Sequence, residues 1–197
     1  MKFGASVTKA RLDTAARDVQ NELGRVGLWN EGSRLIRTEV FWCWLPQITM
    51  PSALGFFVHE STLIDSVLGY EAGHMYIPQW VLSHGPWQRR GSLRDVVRHE
   101  YGHAVAHHYP SLIRRSSRFA STFGGRYGDS EPGWGDALDF VTDYAATCPA
   151  EDFAETFMLF LRHRGKLPDA FFSPAVREKW QFVEDLTAAI DMGIRKW

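Results

Sequence analysis

Apolar positions fall into two rhythms along this chain. From Thr8 to Leu23 they recur at 12, 15, 16, 19 and 23, the spacing of a helix with one buried face, and Gly24 stands near its end. Residues 35–45 (LIRTEVFWCWL) are instead dense in β-branched and aromatic side chains and stop at Pro46, which predicts a strand. Residues 54–59 (LGFFVH) predict a second, shorter strand, and residues 68–78 (LGYEAGHMYIP) a glycine-punctuated third closed by Pro78.

Beyond the connecting residues 80–91, the pattern turns helical for good. Residues 92–110 (SLRDVVRHEYGHAVAHHYP) predict one helix, with Ser92 as N-cap, Asp95 in the first turn and Pro110 as the stop. Residues 111–123, apolar at 112, 113, 119, 120 and 123, predict a short helix ending on Gly124 and Gly125, with Arg114, Arg115 and Arg118 on a solvated face. Glycines punctuate residues 125–135, a loop that serves as a lid or a connector. Pro149 opens the next helix behind Cys148 as N-cap, with Glu151, Asp152 and Glu155 in its first turns and Phe153, Phe157 and Phe160 on its core side. Ser173 and Pro174 open the last helix, whose buried stripe is Val176, Trp180, Val183, Leu186 and Ile190, and Gly193 ends it.

An N-terminal helix, then strands, then helices predict an α+β domain with a small mixed sheet and a mainly helical C-terminal part. With 197 residues and 45% hydrophobic content, a single domain over 1–197 is expected. A net charge of −1 gives no footing for nucleic acid or an anionic membrane surface. There is no apolar run long enough to span a bilayer and no apolar leader core, so a cytoplasmic location is expected. Cys43 and Cys148 are too few for a disulfide framework, which also suggests a reducing compartment.

The chemistry gathers in His99-Glu100-Tyr101-Gly102-His103. On a helix, His99 and His103 stand one turn apart on the same face, so both imidazoles reach one ion. Glu100 is rotated about a quarter turn away, in position to act on a metal-activated water without binding the metal. This is the zincin arrangement. Gly102 adds to it, because glycine inside a helix costs about 1 kcal/mol against alanine and implies close approach of another backbone. In zincin folds an edge strand lies over the metal cleft and pairs with extended substrate; His74 to Ile77 is the candidate here. A catalytic zinc takes three protein ligands and one open position. The metzincin third ligand is absent, since Tyr109 stands in its place, and His107 cannot close round the same ion from one straight helix. The third ligand must come from another helix, and Glu151 and Glu155 are the candidates.

HEYGH followed by YAATCPAEDFAETF resembles the gluzincin peptidases related to the catalytic domain of anthrax lethal factor, over residues 92–160. That resemblance implies His99, His103 and Glu151 as ligands of one zinc per chain, and Glu100 as general base. It also implies Tyr144, seven residues before Glu151, as the phenol that supports the oxyanion, and Glu155 as a residue orienting a ligand. Cys148 departs from the Ser or Asn cap expected there and reads as a weaker cap, the alternative being a thiol that competes for the metal. The expectation is a zinc endopeptidase acting on protein or peptide substrates, with no nucleic-acid or membrane partner. The rival is a zinc-binding interaction module without turnover.

Overall fold

In the computed structural model of the chain, residues 8–28, 39–43, 55–63, 67, 69–78, 92–131 and 135–197 are described. Helix α1 (Lys9–Arg25) buries Leu12, Ala15, Ala16, Val19 and Leu23, the stripe its spacing predicts, and Thr8 caps it by accepting from the Arg11 backbone N–H. Three short strands follow: β1 (Val40–Cys43), β2 (Phe56–Phe57) and β3 (Met75–Pro78). The remainder is helical: α2 (Leu93–His108), α3 (Ser117–Phe123), α4 (Pro149–Arg162) and α5 (Pro174–Asp191). This is an α+β fold with a small mixed sheet and a mainly helical C-terminal part, as the pattern predicts.

The sheet runs in the order β1-β3-β2. β1 pairs with β3 in parallel, Val40 opposite Met75, while β2 pairs with it antiparallel, Phe56 opposite Tyr76. The expectation that His74 to Ile77 form a free edge is therefore wrong: β3 is the central strand and both its ladders are used. The third predicted strand is also shorter than expected. Gly69 and Gly73 adopt φ of +78° and +82°, which makes residues 69–74 a turn and leaves only Met75–Pro78 extended. Residues 35–38, 44–45, 54 and 68 of the predicted strands lie outside the described residues, as do the connecting residues 80–91.

Helix α2 is the central post. Asp95 closes its first turn by accepting from the Ser92 backbone N–H at 2.8 Å, half of a capping box. Arg98 donates to both oxygens of Glu22 at 2.7 Å, and Gln20 Nε2 donates to the Tyr101 hydroxyl at 3.0 Å, tying α2 to α1. On its other side α2 meets α4 at Gly102, where a Cβ would stand 3.0 Å from Ala154 Cα. The close approach inferred from that glycine is real, and the neighbour is the helix that bears Glu151.

Residues 110–115 form a turn rather than helix. Ser116 then caps α3 by accepting from the Phe119 N–H, so the helix starts six residues later than the apolar pattern suggests. The arginines there are not all solvated. Arg118 pairs with Asp185 on α5 and lies over the Trp197 ring at 4.5 Å. Phe119, Phe123, Phe153 and Phe182 interlock edge to face between α3, α4 and α5. A buried ion pair, Lys179 with Asp152 at 2.7 Å, pins the first turn of α4 to α5, and Lys179 also donates to the Asp139 carbonyl. No helix among the described residues is long and apolar enough to cross a membrane.

Candidate metal centre

Two helix positions and one helix start converge. His99 and His103 project from one face of α2 with their Nε2 atoms 3.2 Å apart. Glu151, in the first turn of α4, brings its Oε2 to 3.1 Å from His99 Nε2 and 3.6 Å from His103 Nε2. Ligand atoms of these three residues all lie within 4.8 Å of one another, and the group they form is one that could hold a metal ion. Cys148 is not among them, although it is the N-cap of α4 as predicted and its thiol is free. Pro149 at the first helical position and the Asp152–Lys179 pair fix the turn from which Glu151 reaches inward.

Each imidazole is held from behind. His99 Nδ1 lies 2.7 Å from Glu155 Oε1, and the Thr142 hydroxyl donates to Glu155 Oε2 at 2.8 Å. Thr142 Oγ1 in turn accepts from the Ala145 N–H, so the loop before α4 is locked to the same carboxylate. Glu155 thus lies one turn beyond Glu151 on α4 and meets the opposite nitrogen of His99. His103 Nδ1 lies 2.7 Å from the hydroxyl of Tyr127, a residue that sequence reasoning missed. The only sign of it in the sequence is a lone aromatic between Gly125 and Gly128.

The acids and phenols are strongly perturbed. Burial pushes the Glu100 carboxyl above its ordinary value, His99 and His103 pulling it back only in part. Its Oε2 is buried with no hydrogen-bond partner. At Glu151 burial also opposes ionisation, but hydrogen bonds from His103 and His99 outweigh it and hold the carboxyl well below the usual range. His99 resists burial in the same way: Glu151 and Glu155 raise its pKa well above the ordinary histidine value. Tyr144, before the short 3-10 turn Ala145–Thr147, sets its ring 5.8 Å from that of His99. Burial, with the charges of Glu151 and Glu100, keeps its phenol well above the normal value and therefore a proton donor at neutral pH.

Gly55, just before β2, lies against this centre. A Cβ there would come within 2.6 Å of Ile77 Cδ1 and 2.9 Å of Glu100 Oε1. Farther along, the His59 ring sits 6.3 Å from that of His103 and 6.2 Å from that of Tyr127. Burial and the neighbouring His103 push its pKa down to about 3, so it is a neutral wall. Of the other acids near the loop, Asp139 accepts from the Ser173 hydroxyl and the Asp136 N–H, which ties it to α5 and not to the centre.

The donor set suits a divalent ion. Nε2 of two histidines and one carboxylate match a three-ligand site, and both histidines have their Nδ1 atoms already occupied, the arrangement that leaves Nε2 free for a metal. Glu100 Oε2, buried and without a hydrogen-bond partner, is the atom that the water of such an ion would satisfy. No protein-family model, curated protein or solved structure matches the chain.

Proposed function

We propose that the chain is a zinc-dependent endopeptidase, a single zincin-like domain of the gluzincin type, with protein or peptide substrates. The observation that carries this reading is the convergence of His99, His103 and Glu151 within 4.8 Å beside the unpartnered carboxylate oxygen of Glu100. The order of the motifs, HEYGH and then a tyrosine and EDFAE, supports it. Zinc held by the three ligands would supply a Lewis acid and bring the pKa of its water to about 7.

The chain's own residues do the rest. Glu100 Oε2 takes a proton from the attacking water and returns it to the leaving amine, and its raised pKa suits a group that must both accept and release. The Tyr144 hydroxyl, kept protonated, donates to the oxygen on which negative charge develops. His99 Nδ1–H donates a hydrogen bond to Glu155, which fixes the ring and keeps Nε2 directed at the ion. Among the described residues β2 has a strand on one side only, and Gly55 at its start touches Glu100. That supports β2, in place of β3, as the edge along which an extended peptide would add.

The test is a pair of measurements on Glu100→Gln. The variant should keep stoichiometric zinc and lose nearly all cleavage of a peptide library, because only the proton carrier is gone. Wild-type turnover in that variant would remove Glu100 from the chemistry. A wild-type chain that binds zinc and cleaves nothing across diverse peptides would favour an interaction module instead.

A further inference from the structure

An imidazole that binds a metal through Nε2 carries its proton on Nδ1, and the acceptor of that proton sets the ring's tautomer and angle. The two histidines here have different acceptors. His99 faces the carboxylate of Glu155, whereas His103 faces the hydroxyl of Tyr127 at 2.7 Å.

Tyr127 is not a passing loop residue. It is 7% exposed, and its ring packs on Phe119 at 5.7 Å and Phe153 at 6.5 Å. Its turn is rigidly built. Gly124 ends α3 with φ of +74°, the left-handed conformation that a side chain resists. Next, the Arg126 N–H donates to Asp129 Oδ2 at 2.7 Å and the Asp129 N–H returns to the Arg126 carbonyl at 3.0 Å. Gly125 leaves only tight space for a side chain, since a Cβ would stand 3.0 Å from Pro149 Cγ. Pro149 begins α4, the helix that carries Glu151. The turn is therefore wedged between the end of α3 and the start of α4, and it aims one hydroxyl at His103. The part of residues 125–135 that holds Tyr127 braces these two helices.

We propose that Tyr127 is a positioning residue of the metal centre, whose hydroxyl accepts a hydrogen bond from His103 Nδ1–H and so holds Nε2 towards the ion. The proposal rests on the zinc reading above and adds an asymmetry to it. A phenol is neutral at ordinary pH. It accepts more weakly than a carboxylate, so His103 is the looser of the two imidazole ligands. It also adds no negative charge, which leaves the ion more electrophilic than a second carboxylate would.

Tyr127→Phe removes one oxygen and keeps the ring, so the packing on Phe119 and Phe153 survives. In the full chain, zinc affinity measured by chelator competition should fall about 10–100-fold. The visible absorption of the cobalt-substituted protein should shift as His103 turns, a readout that a purely structural tyrosine would leave alone. Wild-type zinc affinity with an unchanged cobalt spectrum would overturn the proposal while leaving the zinc reading intact. A wild-type chain that takes up no zinc would instead overturn that reading. Should Tyr127→Phe fail to fold, by circular dichroism, the wild type still decides. Nitrogen-15 spectra of the zinc protein should show an exchange-protected His103 Nδ1 proton close to the Tyr127 ring, and a rapidly exchanging one would refute the assignment.

Discussion

Gly102→Ala tests whether the contact between α2 and α4 sets the geometry of the centre. The added methyl would lie 3.0 Å from Ala154 Cα, 3.4 Å from Ala154 Cβ and 3.5 Å from Phe157 Cδ1. The nearest of these atoms is backbone, so no rotamer change relieves it, and the helices must part by a few tenths of an ångström. Overpacking of this kind costs about 1–3 kcal/mol, while alanine returns about 1 kcal/mol of helix propensity. In the metal-free protein the two nearly offset, and its stability should change by no more than about 1–2 kcal/mol. Metal binding is less forgiving, because ligand distances tolerate only about 0.2 Å. Glu151 sits three residues before Ala154 on the displaced helix, so zinc must draw α4 back against the clash. Strain of about 1–3 kcal/mol set against binding is about a 5–150-fold loss of affinity. Chelator competition measures that loss, and thermal unfolding in EDTA measures the other half. A Gly102→Ala protein with wild-type zinc affinity would refute the reasoning. So would full rescue by a second change, Ala154→Gly, which removes the 3.4 Å neighbour and leaves the 3.0 Å one.

Glu151→Gln should lose zinc on dialysis, whereas Glu155→Gln, which spares the ligand and weakens only the support of His99, should bind about 10–100-fold more weakly; equal retention by both would mean that the roles are misassigned. The metal-free protein should lose stability as pH rises above about 6.5, the ordinary histidine value, because His99 is held protonated in the fold by Glu151 and Glu155 and gives up that stabilisation on passing through its raised folded pKa. Urea unfolding in EDTA at rising pH above 6.5 would show the decline, His99→Gln should flatten it, and a rise there would contradict the assignment.

Much of the fold and of the centre could be read from the chain because local rules govern both. The stripes of α1 and α5 repeat over four turns or more, and their ends carry Thr8, Ser173 and Gly193, so periodicity and caps agree. HEYGH fixes its own geometry once it is helical. Strand neighbours are another matter. A run such as HMYI reads the same at an edge or in the middle of a sheet, and only pairing with residues 40–43 and 56–57 makes β3 central. Glu151 and Glu155 share a face of α4 one turn apart, so spacing could not divide them; it is the position of α4 against Gly102 that brings one to Nε2 of His99 and the other to its Nδ1. Tyr127 and Arg118 were hidden for a similar reason. Each is defined by a partner on a different helix, and nothing in the neighbouring residues announces it.

The cluster also admits an ion-pair reading without metal: an imidazolium at His99, clamped between Glu155 at 2.7 Å and Glu151 at 3.1 Å. Such a triad satisfies His99 but not its surroundings. Glu100, 4% exposed, keeps an unpartnered oxygen, and the Nε2 atoms of His103 and His99 face one another at 3.2 Å. Three carboxylates beside two imidazoles then leave a surplus of buried negative charge even with one ring protonated, and desolvation makes such a surplus costly. Two hydrogen bonds further hold the rings so that both Nε2 atoms point to the same space, which an ion pair does not require. A divalent cation would answer these features together: it would offset two of the three negative charges, take both Nε2 atoms and Glu151, and give Glu100 a water to face. On that reading the protonated His99 belongs to the metal-free protein, and its proton is the one a divalent ion would displace on binding.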